Sequence, residues 1–285
     1  MTKTIINLSS QNGIKNNAEL NSDVLFTFRN IYSRQNEEDK VFISVLNAQI
    51  PYSFYNINIY NNVLNMTVDG VSKILNLTKA NYNSSTLISE ITAQLALQSV
   101  TDIAITYSGT TGKLTFTKTS GTFSINGSST ISKVLGFIEG TTYNSVAQVI
   151  TAPNPLNLLG ILKIKIQSHA LNTISFDSAG GNTNKNILAV LPIEVGNFGL
   201  IQYDNLSNLE IPLNVKMINA IDIQLYGDDG NLINFNGIDW SISLVLNVIS
   251  LPPKLLKEIQ EEPEKTEKPK NKKKEKSDLE ILTSQ

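Results

Sequence analysis

The run Val41-Phe42-Ile43-Ser44-Val45-Leu46-Asn47-Ala48-Gln49-Ile50, closed by Pro51, settles the fold class. It is dominated by β-branched and other apolar side chains and has no helical spacing. It stops at a residue that cannot donate to a ladder, so it reads as a core strand. Upstream, Val24-Leu25-Phe26-Thr27-Phe28 reads the same way, with a charged loop from Arg34 to Lys40 between the two. Residues 1–20 read as an N-terminal arm with one short apolar patch, Ile5-Ile6. Downstream of Pro153-Asn154-Pro155, Leu162, Ile164 and Ile166 alternate with Lys163, Lys165 and Gln167, so one face is buried and the other is wet. Further strands are expected at Ile187 to Ile193, Gly199 to Tyr203, Leu209 to Leu213, Ile218 to Tyr226 and Trp240 to Ile249. About eight strands separated by turns are what a β-sandwich or jelly roll requires.

The texture changes between Tyr60 and Val149. Val63 to Val68 and Val71 to Leu77 flank Asp69-Gly70, a two-residue hairpin signal. Asn83-Ser84-Ser85 supplies the cap of an amphipathic helix in which Leu87, Ile88, Ile91 and Leu95 share a face. Strands are expected at Ile103 to Tyr107, Leu114 to Thr117 and Thr122 to Ile125, and Ser129-Thr130 predicts a brief helix ending at Leu135-Gly136-Phe137. Together these make an α+β module of about 80–90 residues, the size of a small domain. The expected plan is an arm at 1–20, an all-β single jelly-roll sandwich at 21–60 and 150–250, an inserted α+β domain at 61–149 and a disordered charged tail at 251–285.

Composition narrows the function classes. The charged fraction is 17%, below the roughly 25% of an ordinary domain, and Asn, Ser and Thr replace it. Such a surface packs against copies of itself with few charges to desolvate. An AT-rich genome would produce the same bias. Cysteine is absent, which excludes disulfides and thiolate metal sites. The N-terminus Met1-Thr2-Lys3-Thr4-Ile5-Ile6 lacks the apolar core of a signal peptide, and no stretch reaches the ~18 apolar residues of a membrane span. Assembly in the cytosol is expected. Residues 1–250 carry 14 basic and 17 acidic groups and show no basic face for nucleic acid. The tail holds nine lysines against eight acids, so only a weak nucleic-acid or capsid contact through it is considered.

Residues with catalytic chemistry are sparse. His169 is the only histidine, so no His-paired nucleophile and no multi-histidine metal site can be built. Asp228-Asp229-Gly230-Asn231 looks like a calcium-loop fragment, but Ile233 and Phe235 interrupt the pattern and no Glu follows before the tail, which favours a tight turn. Trp240, after Asp239, opens the last strand and is read as core or interface packing. Gly109-Thr110-Thr111-Gly112-Lys113 lacks the Walker spacing and leads into a strand. Paired carboxylates of the glycosidase kind stay open, although most Asp and Glu residues fall in turns. No catalytic residue, cofactor ligand or metal ligand is assigned.

Several strings taken in order resemble a known family. They are Asn47-Ala48-Gln49-Ile50-Pro51-Tyr52-Ser53-Phe54-Tyr55-Asn56-Ile57, Asn81-Tyr82-Asn83, Thr111-Gly112-Lys113-Leu114-Thr115-Phe116, Val134-Leu135-Gly136-Phe137, Asn157-Leu158-Leu159-Gly160 and Gly230 to Trp240. The chain is similar to the penton (vertex, minor capsid) proteins of virophages and Polinton-like viruses. That resemblance implies a single jelly roll whose five copies close an icosahedral vertex and abut a double-jelly-roll major capsid protein, with the inserted module facing outward. It implies a structural, non-enzymatic role in the virion capsid, assembled in the host cytoplasm or viral factory. The alternative is a carbohydrate- or receptor-binding β-sandwich, a viral or phage adhesin, with Tyr52, Tyr55, Tyr60 and Trp240 as stacking faces.

Overall fold

The computed structural model describes residues 1–35, 39–171, 173 and 186–250. The expected charged tail, 251–285, and part of the Arg34 to Lys40 loop lie outside the described residues. Met1–Ile249 forms one compact unit.

In chain order the first part supplies β1 (Thr2–Ser9), β2 (Ile14–Lys15), β3 (Asp23–Ser33) and β4 (Lys40–Pro51). The middle part supplies β5 (Val63–Val68), β6 (Val71–Asn76), α1 (Ser84–Leu97), β7 (Ile103–Tyr107), β8 (Leu114–Lys118), β9 (Phe123–Ile125), β10 (Tyr143–Asn144) and β11 (Val149–Thr151). The last part supplies β12 (Lys163–Gln167), β13 (Ile187–Pro192), β14 (Leu200–Asp204), β15 (Ile211–Leu213), β16 (Met217–Gly227) and β17 (Ser241–Ile249).

Two antiparallel sheets face each other across the larger core. One runs β1-β17-β4-β14, with β15 also on β4, and the other runs β13-β12-β16-β3-β2. If β1, β3, β4, β12, β13, β14, β16 and β17 are taken as strands one to eight, the sheets read 1-8-3-6 and 5-4-7-2. That interleaving is the jelly-roll order, two Greek keys wrapped into a sandwich. The period-two burial of β16, where Ile221, Ile223 and Leu225 point inward, matches the inward Leu244 and Leu246 of β17.

One expectation is corrected at the N-terminus. Thr2–Ser9, read as part of an arm, is ladder-paired with β17 from Thr2↔Val248 to Ser9↔Ser241. Only Ile6 and Leu8 are buried, because an edge strand needs few inward residues, and so the alternation is too short to stand out.

The second core belongs to Ile57 through Ala152 and is made of separate buried residues, among them Leu64, Met66, Leu87, Ile91, Phe116 and Leu135. Its strands form the orders β10-β9-β5-β6 and β11-β8-β7, and α1 packs against β7 and β6. Asn83 caps α1 reciprocally: its side chain accepts from the Thr86 N–H while the Thr86 hydroxyl accepts from the Asn83 N–H. The brief helix expected after Ser129 does not form. The Ser129 hydroxyl instead accepts from the Asn65 N–H at 2.9 Å and donates to Asn126 O at 2.8 Å, so it fastens a turn to β5 and leaves no cap.

Candidate functional site

The loop from Tyr55 to Asn62 leaves β4 and crosses into the second lobe, and asparagines make it rigid. Asn56 donates its amide N–H groups to Tyr82 O at 2.9 Å and Leu158 O at 3.1 Å, and its Oδ1 accepts from the Tyr82 N–H at 2.9 Å. Its own N–H donates to Asn81 Oδ1 at 2.9 Å. The outgoing and returning chains are thus pinned together at one residue. Gly160, at φ +68°, lies against Asn56, where a Cβ would sit 3.3 Å from the Asn56 Cβ. Three of the sequence strings that carried the family resemblance meet at this pin.

A cleft of about 200 Å³ opens beside it, with Phe54, Ile161 and Ile233 as apolar walls and Tyr60 and Asp229 on its polar side. The Tyr60 hydroxyl donates to Leu232 O at 3.2 Å. Burial raises the Tyr60 phenol above its ordinary range, and the nearby Asp229 charge adds to that.

The residues singled out from sequence fall in different places. Asp228 and Asp229 lie in the turn after β16. The Asp228 Oδ1 accepts from the Leu162 N–H at 3.2 Å, and the Asp229 oxygens accept from the backbone and side-chain N–H groups of Asn231, both at 3.1 Å. Their carboxylates order the turn, as a tight-turn reading requires. Gly109 to Lys113 is the β7–β8 turn: the Gly112 N–H donates to Ser108 O at 2.7 Å and the Ser108 N–H to Lys113 O at 2.9 Å.

His169 follows β12 with an exposed ring, and its Nδ1 lies 3.6 Å from an Asp222 oxygen. Asp222 was not singled out from sequence. It accepts from the Ser168 hydroxyl and the Ala170 N–H, both at 2.8 Å, and from the His169 N–H at 3.1 Å. The signal for it was only its position, one acidic residue among the apolar ones of β16.

Trp240 is 2% exposed, so it offers no stacking face. Its Nε1–H donates to Asn21 O at 2.7 Å and its ring meets Phe26 edge-on at 6.3 Å. Tyr52 is buried as well, stacked on Phe54 at 4.4 Å. Of the four rings expected to serve a sugar, only Tyr55 and Tyr60 line the cleft. Asp239 accepts from the Ser10 hydroxyl at 2.7 Å, the Asn21 amide at 3.0 Å and Lys15 at 3.4 Å. These donors, Ser10 foremost, hold its carboxyl below the usual range. Asp239 is therefore a clamp on the β1–β3 segment.

In the second lobe the Lys118 ammonium is buried and donates to Asp102 at 2.6 Å, to Ser120 O at 2.6 Å and to Asp69 at 2.8 Å. It is a three-point staple between the β5–β6 turn and the loops around β8.

Fold and site together define a single jelly-roll sandwich that carries a second α+β core in the connection between its third and fourth strands. No protein-family model matches the sequence, and no curated protein matches it. Among solved structures the chain is similar to the mavirus penton protein, with a TM-score of 0.46 and 13% identity over 87% of this chain and 100% of that one. It is also similar to the Sputnik virophage structure determined by cryo-EM, with a TM-score of 0.42 and 13% identity over 86% of this chain and 97% of that one.

Proposed function

We propose that the chain is a non-enzymatic, penton-like structural subunit of an icosahedral virion, closing as a five-fold ring and abutting a double-jelly-roll major capsid protein. The observation that carries this reading is the strand order of the sandwich. Its third-to-fourth connection is expanded into a second core, and among the described residues β1, β2, β13 and β14 end the two sheets, as the lateral strands of a subunit that meets neighbours side by side would. A neutral, Asn- and Ser-rich surface supports the same reading, because lateral contacts then desolvate few charges. In this reading residues 61–149 form the outward domain at the vertex, and the Lys-rich tail at 251–285 makes a weak contact with capsid or genome. The Asp229 carboxylate at the cleft and its neighbour Asp228 are engaged in turn geometry, which suits binding or assembly better than acid–base chemistry.

Negative-stain imaging of the purified full chain, alone and mixed with the major capsid protein of the same virus, tests this. Five-fold rings or vertex density are expected. A stable monomer that never joins a particle, and instead retains glycans through Tyr55 and Tyr60, would establish the adhesin alternative.

A further inference from the structure

Tyr60 is held at both ends. Its N–H donates to Asn58 Oδ1 at 2.9 Å and its hydroxyl donates to Leu232 O at 3.2 Å. Asn58 is itself fixed, because its N–H donates to Asn61 Oδ1 at 2.7 Å and the Asn61 amide donates to Asn56 O at 2.9 Å. An aromatic ring set in this way loses little freedom when a ligand lies against it.

The ring also lines more than one depression. Beside the cleft of about 200 Å³ lies a second of about 360 Å³, and Asn58, Tyr60, Ile161 and Asp229 line both. Joined at these four residues, they reach the size of an ordinary ligand site, roughly 300–1,000 Å³. Asn234 lines the first and Asn157 the second. Their Oδ1 atoms accept from the N–H groups of Asn236 and Leu159, while their amide N–H groups have no partner among the described residues. Each Asp229 oxygen accepts one N–H from Asn231, which leaves acceptor capacity on each.

These groups together fit one chemistry. A pyranose ring has a face of C–H groups and a rim of hydroxyls, each able to donate and to accept. The face suits the Tyr60 ring, hydroxyl donors suit Asp229, and hydroxyl acceptors suit the amides of Asn157 and Asn234. A bare cation would offer those amides no acceptor. Charge disfavours an acidic sugar. Lys79 and Lys133 stand against Glu139, Asp228 and Asp229, and Lys133 is already paired with Glu139 at 3.2 Å. The remaining balance is negative and repels a carboxylate or sulfate.

We infer that the joined cleft binds a neutral oligosaccharide of two or more rings, one ring lying on Tyr60 with its hydroxyls on Asp229. The length follows from the two depressions, each occupied by at least one ring. This site goes beyond the capsid reading and does not depend on ring closure.

Binding of the full-length chain to an array of neutral, sialylated and sulfated oligosaccharides, with their component monosaccharides, tests this. Neutral members of two or more rings should be retained, monosaccharides should bind at least tenfold more weakly, and acidic members should not bind. Asp229→Asn keeps the size of the side chain. It should weaken the retained glycan at least tenfold in calorimetric titration, with an unchanged urea midpoint. Tyr60→Leu should weaken it as much, whereas Tyr107→Leu, at an exposed ring of β7 outside the cleft, should bind as the parent does. Where Tyr60→Leu lowers the midpoint, Asp229→Asn decides. No retained neutral glycan, a preference for acidic ones, or an affinity indifferent to Asp229→Asn would overturn the inference. Vertex density without any held glycan would sink this inference and leave the capsid reading standing. Glycan held by a chain that never assembles would do the reverse.

Discussion

The Trp240 indole N–H donates to the carbonyl of Asn21, 2.7 Å away and 219 residues distant in sequence. Around this bond the Ser10 hydroxyl donates to Asp239 and accepts from the Trp240 N–H, so three separate chain segments are locked at one corner of the sandwich. Replacing Trp240 with Phe keeps most of the apolar volume and removes the donor. Stability should fall by about 1–3 kcal/mol, the cost of stranding a buried acceptor plus the lost ring area. Urea denaturation measures it. An unchanged midpoint would show that the ring, and not the bond, holds the corner.

Lys118 makes the second lobe's stability depend on pH at both extremes. The hydrogen bond from Lys118 holds the Asp69 carboxyl below its ordinary value of 3.8, and Asp102, then Asp69, holds the Lys118 ammonium above 10.5. A depressed carboxylate stabilises the fold above its unfolded value and loses that contribution as pH falls through the folded one. A raised ammonium stabilises below its unfolded value and loses that contribution as pH rises through the folded one. The staple should therefore contribute evenly from about pH 4 to about pH 10. In thermal melts, Lys118→Met should lower Tm across that window, and its curve should converge on the parent's at both ends. Parallel curves would contradict the staple.

Asn56 should matter more than any other residue in its loop. Asn56→Ala strands Tyr82 O, Leu158 O and the Tyr82 N–H, each partly shielded from water. A loss of about 1–3 kcal/mol is expected, together with faster amide exchange at Tyr82. Exchange that rises uniformly across the chain, with no focus at Tyr82, would argue against a local pin.

Phe198→Gly should raise the stability of the subunit. Glycine adopts φ +67° freely, so about 1 kcal/mol of backbone strain is relieved. A higher midpoint in urea denaturation is the expected result. A lower midpoint would mean that the ring packs usefully within its own chain.

Much of this architecture was legible because burial is periodic. Val41 to Pro51, Leu162 to Gln167 and Trp240 to Ile249 sit on or next to the strands they predicted, and Asp69-Gly70 and Asn83 mark the turn and cap they suggested. What escaped had no such period. Thr2–Ser9 buries two side chains on an edge, and the Ser129 hydroxyl answers the Asn65 backbone, a partner 64 residues away in sequence. Trp240 was read as packing, and its donor bond to Asn21 was invisible because the acceptor is backbone. Phe198 left no trace either: a single exposed aromatic in a Gly-flanked loop is ordinary sequence, and only its positive φ and pinned flanks set it apart.

The pairing of β17 also sets an order in time. β17 lies between β1 and β4, so a central strand of its sheet is the last of that sheet's strands to leave the ribosome. Until Ser241–Ile249 emerges, Thr2–Ser9 has no ladder partner, and β4 lacks its longest one. Closing a sheet across pairs such as Thr2↔Val248 is a high-contact-order step, and chains of this kind fold in milliseconds to seconds rather than microseconds. For that interval the nascent chain presents two open β edges, so crowded synthesis would favour exchange of the first strand between neighbouring copies.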